Sequence, residues 1–196
     1  ENPIQGCTDE LACNYNYNAS TDDGSCEYSC IGGDYTLSFD GVDDYVDTDI
    51  TFNNDDFTIT GKFFTYDNDS DNNDYKYILH AANPEIKIYI HGGKLHAKIK
   101  TVNGWGPTSE VPINSNQWYS FTLSYLFSES MQSLYLNGGE ENDNVGVSES
   151  EPISFSDTLI LGYSWNGDGT PYHGELDEFY FFNEGMSANQ VQENYN

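Results

Sequence analysis

From Tyr35 onward, apolar residues fall at every second position in one run after another. Tyr35, Leu37 and Phe39 alternate with Thr36 and Ser38, and Phe57, Ile59, Gly61 and Phe63 alternate with Thr58, Thr60 and Lys62. Further on, Ile86, Ile88 and Ile90 alternate with Lys87, Tyr89 and His91, then Leu95, Ala97 and Ile99 with His96, Lys98 and Lys100. A side-chain period of two is that of a strand with one face buried. Between the last two runs, His91-Gly92-Gly93-Lys94 predicts a tight hairpin, because the glycines can adopt the backbone such a turn needs. Residues 117–127 and 130–139 predict a second strand pair. Strands spaced about ten residues apart, with Gly, Asn and Asp between them, have the rhythm of an all-β sandwich. Only the chain's end predicts a helix, where Ser187 and Gln190 form a capping box and Val191 and Tyr195 share a face.

The first 30 residues have a different character. They hold all four cysteines, Cys7, Cys13, Cys26 and Cys30, among Asn, Asp, Tyr, Gly and Ser, and almost no aliphatic residues. A segment so short cannot bury enough apolar surface to fold unaided, so it needs covalent staples or a metal. Two disulfides fit the C-x5-C-x12-C-x3-C spacing better than zinc, since the segment has no His and no CxxC pair. An even cysteine count then implies an oxidising, extracellular compartment, with three connectivities open. The predicted organisation is a disulfide-stabilised module over 1–31 and a sandwich over 32–196.

Charge excludes one class of partner. Six lysines, no arginine and 33 acidic residues give a net charge of −27, which repels a nucleic-acid backbone. All six lysines fall between Lys62 and Lys100, so any attraction for an anionic ligand must come from that stretch or through a bound cation. No apolar run is long enough to span a bilayer. A start at Glu1 without Met and without a leader is expected of a mature product or excised fragment.

Four segments, taken together, resemble the LamG-like, concanavalin A-like lectin/glucanase jelly roll. These are the L-x-F-D-G-x-D-D-Y-V run at 37–46, a W-x-x-x-x-x-x-Y strand at 118–125, L-Y-L-N-G at 134–138, and the close GELDEFYFFNEGMSANQVQENY at 174–195. The resemblance spans about 34–196 and implies a two-sheet antiparallel jelly-roll sandwich, with a structural Ca2+ held by Asp40 and Asp177. Either carboxylate has an alternative in hydrogen bonding of turn or loop amides. Residues 6–28 resemble a short DDGSC repeat of secreted marine bacterial proteins. That likeness implies a surface-protein spacer in which Asp9, Asp22 and Asp23 are calcium candidates, unless Asp22-Asp23-Gly24 forms only a turn.

The same superfamily includes glucan hydrolases, which carry two catalytic carboxylates on one strand. In Glu175-Leu176-Asp177-Glu178-Phe179-Tyr180, Phe179 and Tyr180 stand where the second glutamate is required, so no enzyme is expected. A sugar binder needs flat aromatic faces with amides and carboxylates beside them. Trp105 and Trp165 sit in Gly-rich loops, and Asn166, Asp168, Tyr172 and His173 follow Trp165 in the same loop, so these six are the binding candidates. Each Trp alternatively plugs an end of the sandwich. Trp118, opening an alternating strand, is expected in the core or at its rim. A second candidate surface is the face bearing Lys87, Tyr89, His91, Lys98 and Lys100, suited to an acidic polysaccharide or simply solvated. Two functions follow: a secreted or cell-surface carbohydrate-binding module of a larger protein, or a structural adhesin or fibre domain that contacts other surface proteins.

Overall fold

The computed structural model describes residues 3–9, 12, 15–26, 36–50, 56–68, 74–82, 85–101, 104–139, 141–147, 158–164 and 169–195. It divides into two compact units, Glu1–Tyr35 and Thr36–Asn196. In the first unit, β1 (Gln5–Gly6) and β2 (Thr21–Asp22) pair in parallel. Its buried apolar side chains, among the described residues, are only Cys7 and Ala12. Among the described residues, the Cys7–Cys26 disulfide staples this small core. This bond selects among the three connectivities and implies an oxidising environment; Cys13 and Cys30 lie outside the described residues.

The second unit is a two-sheet antiparallel jelly-roll sandwich. Its strands are β3 (Leu37–Asp40), β4 (Val46–Asp47), β5 (Phe57–Thr65), β6 (Lys76–Ala82), β7 (Glu85–His91), β8 (Lys94–Thr101), β9 (Gly104–Trp105), β10 (Ser109–Pro112), β11 (Trp118–Leu126), β12 (Met131–Leu136), β13 (Glu141–Gly146), β14 (Leu159–Leu161) and β15 (His173–Phe182), followed by helix α1 (Ala188–Tyr195). One sheet runs β10-β8-β7-β6-β14-β4, with β9 paired beside β10 on β8; the other runs β13-β12-β11-β5-β15-β3. The first and last strands are neighbours, in register from His173 opposite Asp40 to Leu176 opposite Leu37.

The predicted alternation becomes the core. Ile86, Ile88, Ile90, Leu95, Ala97 and Ile99 of one sheet are buried in the same cluster as Phe57, Ile59, Phe63, Phe121 and Leu123 of the other. Each side chain of this kind contributes roughly 1.5–3 kcal/mol relative to exposure. Gly92 and Gly93 both take positive φ, as the hairpin requires. Ser187 and Gln190 form the capping box, the Ser187 backbone N–H donating to Gln190 Oε1 at 2.9 Å.

Two further contacts shape the sandwich. Gly162, at φ +83°, donates its N–H to Ile78 O and leaves room for the Phe39 ring, which meets Tyr172 edge-on at 5.9 Å. At the opposite end the sheets are tied together by buried Gln132, whose amide donates to Ala97 O and to Ser109 Oγ. The outermost strands are short or acidic: β4 and β9 have two residues each, β10 ends in Pro112, and the Glu110 N–H on β10 is taken by the Asp143 carboxylate of β13. Among the described residues, no helix is long and apolar enough to cross a membrane.

Candidate functional site

Because alternate residues of β7 and β8 fill the core, the others are committed to the outer face of that sheet. Cross-strand register then gathers them into rows. Tyr77 of β6 stands opposite Tyr89 of β7, Tyr89 opposite His96 of β8, and His96 opposite Glu110 of β10. A second row runs from Ile160 of β14 through His80 and Lys87 to Lys98.

The rings of this face are stacked in series. Tyr89 and His96 lie parallel at 4.9 Å, Tyr75 and His91 at 4.4 Å, and Tyr77 and His80 at 5.5 Å, while Tyr75 and Tyr77 each meet Tyr89 edgewise or tilted. Lys87 Nζ sits 5.4 Å from the centre of the Tyr77 ring, within cation–π range. Tyr75 is 41% exposed, whereas Tyr77, Tyr89, His80 and His96 are buried. At one end Gly169 passes so close to Tyr75 and Tyr77 that a Cβ there would lie 2.4 Å from Tyr75 O.

Two carboxylates organise the cations. Glu85 is 2.7 Å from Lys87 Nζ, 3.4 Å from His80 Nε2 and 3.5 Å from Lys100 Nζ. Burial alone would raise the Glu85 pKa, but the Lys87 hydrogen bond and the charges of Lys87, His80 and Lys100 outweigh it and hold the carboxyl below its ordinary range. Glu110 accepts from Lys94 and lies 3.6 Å from His96 Nδ1. Lys87, Lys94, Lys98 and Lys100 thus gather on one face with Glu85 and Glu110, in a chain that has only six lysines and is otherwise strongly anionic. Tyr89 is pushed up to about 12 by burial, so its hydroxyl stays protonated at neutral pH.

Burial also lowers the pKa of His96 from its ordinary 6.5, against the opposing pull of the His91 carbonyl and Glu110. A depressed folded-state value means the unfolded chain takes up the proton first. The stability contributed by neutral His96 is therefore present above about pH 6.5 and is lost as pH falls through the lower, folded value. Replacing His96 with Gln is expected to flatten the decline of the thermal midpoint between roughly pH 7 and 5. Scanning calorimetry across that range checks it, and an unchanged slope would show that other groups set it.

The loop candidates separate. Tyr172 is wholly buried, its ring against Phe39 and its hydroxyl donating to Phe64 O at 2.8 Å, so it packs and presents no binding surface. His173 is exposed on β15, on the other sheet, with its ring 4.8 Å from that of Tyr66. Trp165, Asn166 and Asp168 lie outside the described residues. Described residues flanking that loop do reach the tyrosine face: Ser164 Oγ is 3.2 Å from His80 Nδ1, and Gly169 packs on Tyr77. Trp105 stands in β9 opposite Lys100, and its side chain lies outside the described part. Trp118 is a correction, for it is 42% exposed on the outer face of β11, 5.7 Å from Phe64, because Tyr119 and Phe121 take the core phase.

The calcium candidates also separate. Asp40 is opposite His173, and Asp177 stands four residues further along β15, about 13 Å away at strand spacing. A single ion bound at 2.3–2.6 Å cannot bridge that distance. Asp40 clusters instead with Asp43 and Asp44, their carboxylate oxygens within 4.8 Å of one another. Asp177 accepts from the Glu178 N–H, and Lys62 of the facing strand pairs with Glu178 at 2.8 Å. In the first unit Asp22 and Asp23 accept the N–H groups of Gly24 and Ser25, as turn-forming Asp residues do. The Ser25 hydroxyl and N–H hold Asp23 below the usual carboxylate range. Asp9 O accepts from the Ala12 N–H.

The strands β6 and β10, with Tyr75 just before β6, supply the part of the site that alternation within β7 and β8 did not show: Tyr75, Tyr77, His80 and Glu110. The tyrosines escape a periodicity reading because β6 slips register against β7 between Tyr77 and Leu79.

Solved structures share this fold at low identity. A native heptameric SAP-like pentraxin from Limulus polyphemus is 17% identical, with a TM-score of 0.62, covering 80% of this chain and 79% of that one. The binding domain of botulinum neurotoxin serotype D is 14% identical, with a TM-score of 0.64, covering 82% of this chain and 41% of that one. The serotype D ligand-binding domain in complex with N-acetylneuraminic acid is 13% identical, with a TM-score of 0.58, covering 77% and 39%. The chain thus spans about two fifths of the neurotoxin chains it resembles. No curated protein sequence matches it. The Laminin G 3 family, described as the concanavalin A-like lectin/glucanases superfamily, matches residues 40–192, and the chain belongs to that superfamily.

Proposed function

We propose that the chain is a non-catalytic, extracellular carbohydrate-binding module of a larger secreted or cell-surface protein, and that it takes an acidic glycan on the outer face of β6, β7 and β8. The carrying observation is the coincidence, on one sheet face, of stacked Tyr and His rings with four lysines of a chain that has only six. Tyr75 and His91 offer a flat surface for a sugar ring, Lys98 and Lys100 a charge for its carboxylate or sulfate, and Glu85 and Glu110 acceptors for hydroxyls. A protein of the same fold holds N-acetylneuraminic acid, an acidic sugar, which favours this ligand class.

Calcium enters this reading as a structural ion at Asp40, Asp43 and Asp44. An all-oxygen donor set fits it, and the ion would neutralise three adjacent carboxylates. The first unit serves as a disulfide-stapled spacer.

The test is calorimetric titration of alginate and of neutral laminarin into the chain, with and without EGTA, at two salt concentrations. Alginate is expected to bind and to weaken with salt, and Lys98→Ala/Lys100→Ala to lose about tenfold or more in affinity, at roughly 1 kcal/mol per charge. If alginate fails to bind at low salt, or the double variant binds it unchanged, this face is not an acidic-glycan site.

A further inference from the structure

The opposite sheet carries a second groove with different chemistry. It lies on the outer face of β5, β11 and β15 beside α1, with a volume of about 620 Å³, inside the range of ~300–1,000 Å³ usual for small-ligand sites. Its floor is a patch of hydroxyls, Thr60, Ser120 and Thr122, all partly exposed. Among the described residues no side-chain partner engages these three hydroxyls.

Two aromatic rings flank the floor. Tyr180 of β15 stands opposite Thr60 and is 55% exposed; Tyr195 of α1 is 51% exposed and is seated on Gly138, where a Cβ would lie 2.5 Å from its ring. Farther along the same face, two residues before Ser120, Trp118 adds a third exposed ring beside Phe64. Among the described residues, the charged side chains lining the groove are Lys62 and Glu178, which pair with each other at 2.8 Å. Glu178 reaches Lys62 because β15 bulges between Asp177 and Tyr180, with Glu178 itself at φ +49°. The bulge thereby cancels the Lys62 cation against the Glu178 anion.

Unused hydroxyls between exposed aromatic rings, without net charge, suit a ligand that offers hydroxyls and C–H faces and carries no charge. We infer that this groove binds a neutral oligosaccharide, independently of the lysine face on the other sheet. An anionic ligand finds no unpaired cation among the lining residues, and a purely apolar partner would leave the hydroxyl floor and the ion pair unsatisfied.

The test uses the full chain carrying Lys98→Ala/Lys100→Ala, so that the lysine face is disabled, titrated with laminarihexaose and with cellohexaose at roughly 0.15 M salt. Binding of at least one of them, insensitive to salt, is expected. Tyr180→Ala should weaken it about tenfold or more, Tyr180→Phe should retain it, and Trp118→Ala should weaken it less than Tyr180→Ala. Tyr180 and Trp118 are exposed, so circular dichroism should show both variants folded. The inference is overturned if neither hexasaccharide binds, or if folded Tyr180→Ala binds as the parent does. It is also overturned if Tyr180→Ala instead abolishes self-association seen by ultracentrifugation, which would give the groove to a second copy of the chain.

Discussion

Gly162→Ala should destabilise the sandwich by about 3 kcal/mol, a large fraction of the ~5–15 kcal/mol that holds a domain of this size folded. Two costs combine. Residue 162 sits at φ +83°, where a side chain costs about 1–2 kcal/mol. An added Cβ would also lie 2.2 Å from Phe39 Cε1, and the ring cannot retreat, because Phe39 is buried with Tyr172 edge-on beside it. Relief by backbone movement would strain the bonds from Gly162 N–H to Ile78 O and from Tyr172 N–H to Gly162 O, which connect β6, β14 and the approach to β15. Urea unfolding followed by tryptophan fluorescence checks this. A midpoint within error of the parent's would mean that the Phe39 pocket is far more compliant than its packing indicates.

Cys7→Ser is expected to unfold the first unit. The disulfide closes a loop of 19 residues, and loop-closure entropy for that length amounts to about 3 kcal/mol. Among the described residues this unit buries only Cys7 and Ala12 as apolar side chains, so no apolar core among them replaces the lost constraint. The other order among its described residues is a two-residue parallel pair and a few turns, including the Asn16 N–H to Cys7 O bond. Heteronuclear NMR should show the amide signals of residues 4–26 collapsing towards unfolded positions. The sandwich contains no cysteine, and its own signals serve as the internal reference. Persistence of the dispersed first-unit signals would show that its turns and polar contacts suffice.

How far the sequence could be read depended on whether a feature was local. The β7–β8 hairpin was visible in full, since alternation fixes each face and Gly92-Gly93 fixes the turn. So was half of the candidate site: Lys87, Tyr89, His91, Lys98 and Lys100 follow directly from that alternation. Tyr75 and Tyr77 at the start of β6 and Glu110 from β10 did not, because strand order and register are properties of pairing between distant segments, and β6 adds a slip of its own. The expected Asp40 and Asp177 clasp failed for the same reason. Neighbouring strands were correctly identified, but a register offset of four residues parts the carboxylates. Trp118 was misplaced by a local error of phase: the core alternation begins one residue later, at Tyr119.

The four sheet rims bear on how the protein tolerates crowding. An unpaired strand edge is a template onto which another chain's strand can zip, and long, flat, apolar edges lead to fibrils. Here β4 and β9 are too short to template anything, Pro112 interrupts the donor row of β10, and Asp143 has already claimed the Glu110 N–H. The remaining rims, β13 and β3, carry Asp143 and Asp40, so a second copy approaching either edge meets like charge. Copies held at high density on a surface should therefore stay discrete, leaving both sheet faces, rather than the edges, for contact with other molecules.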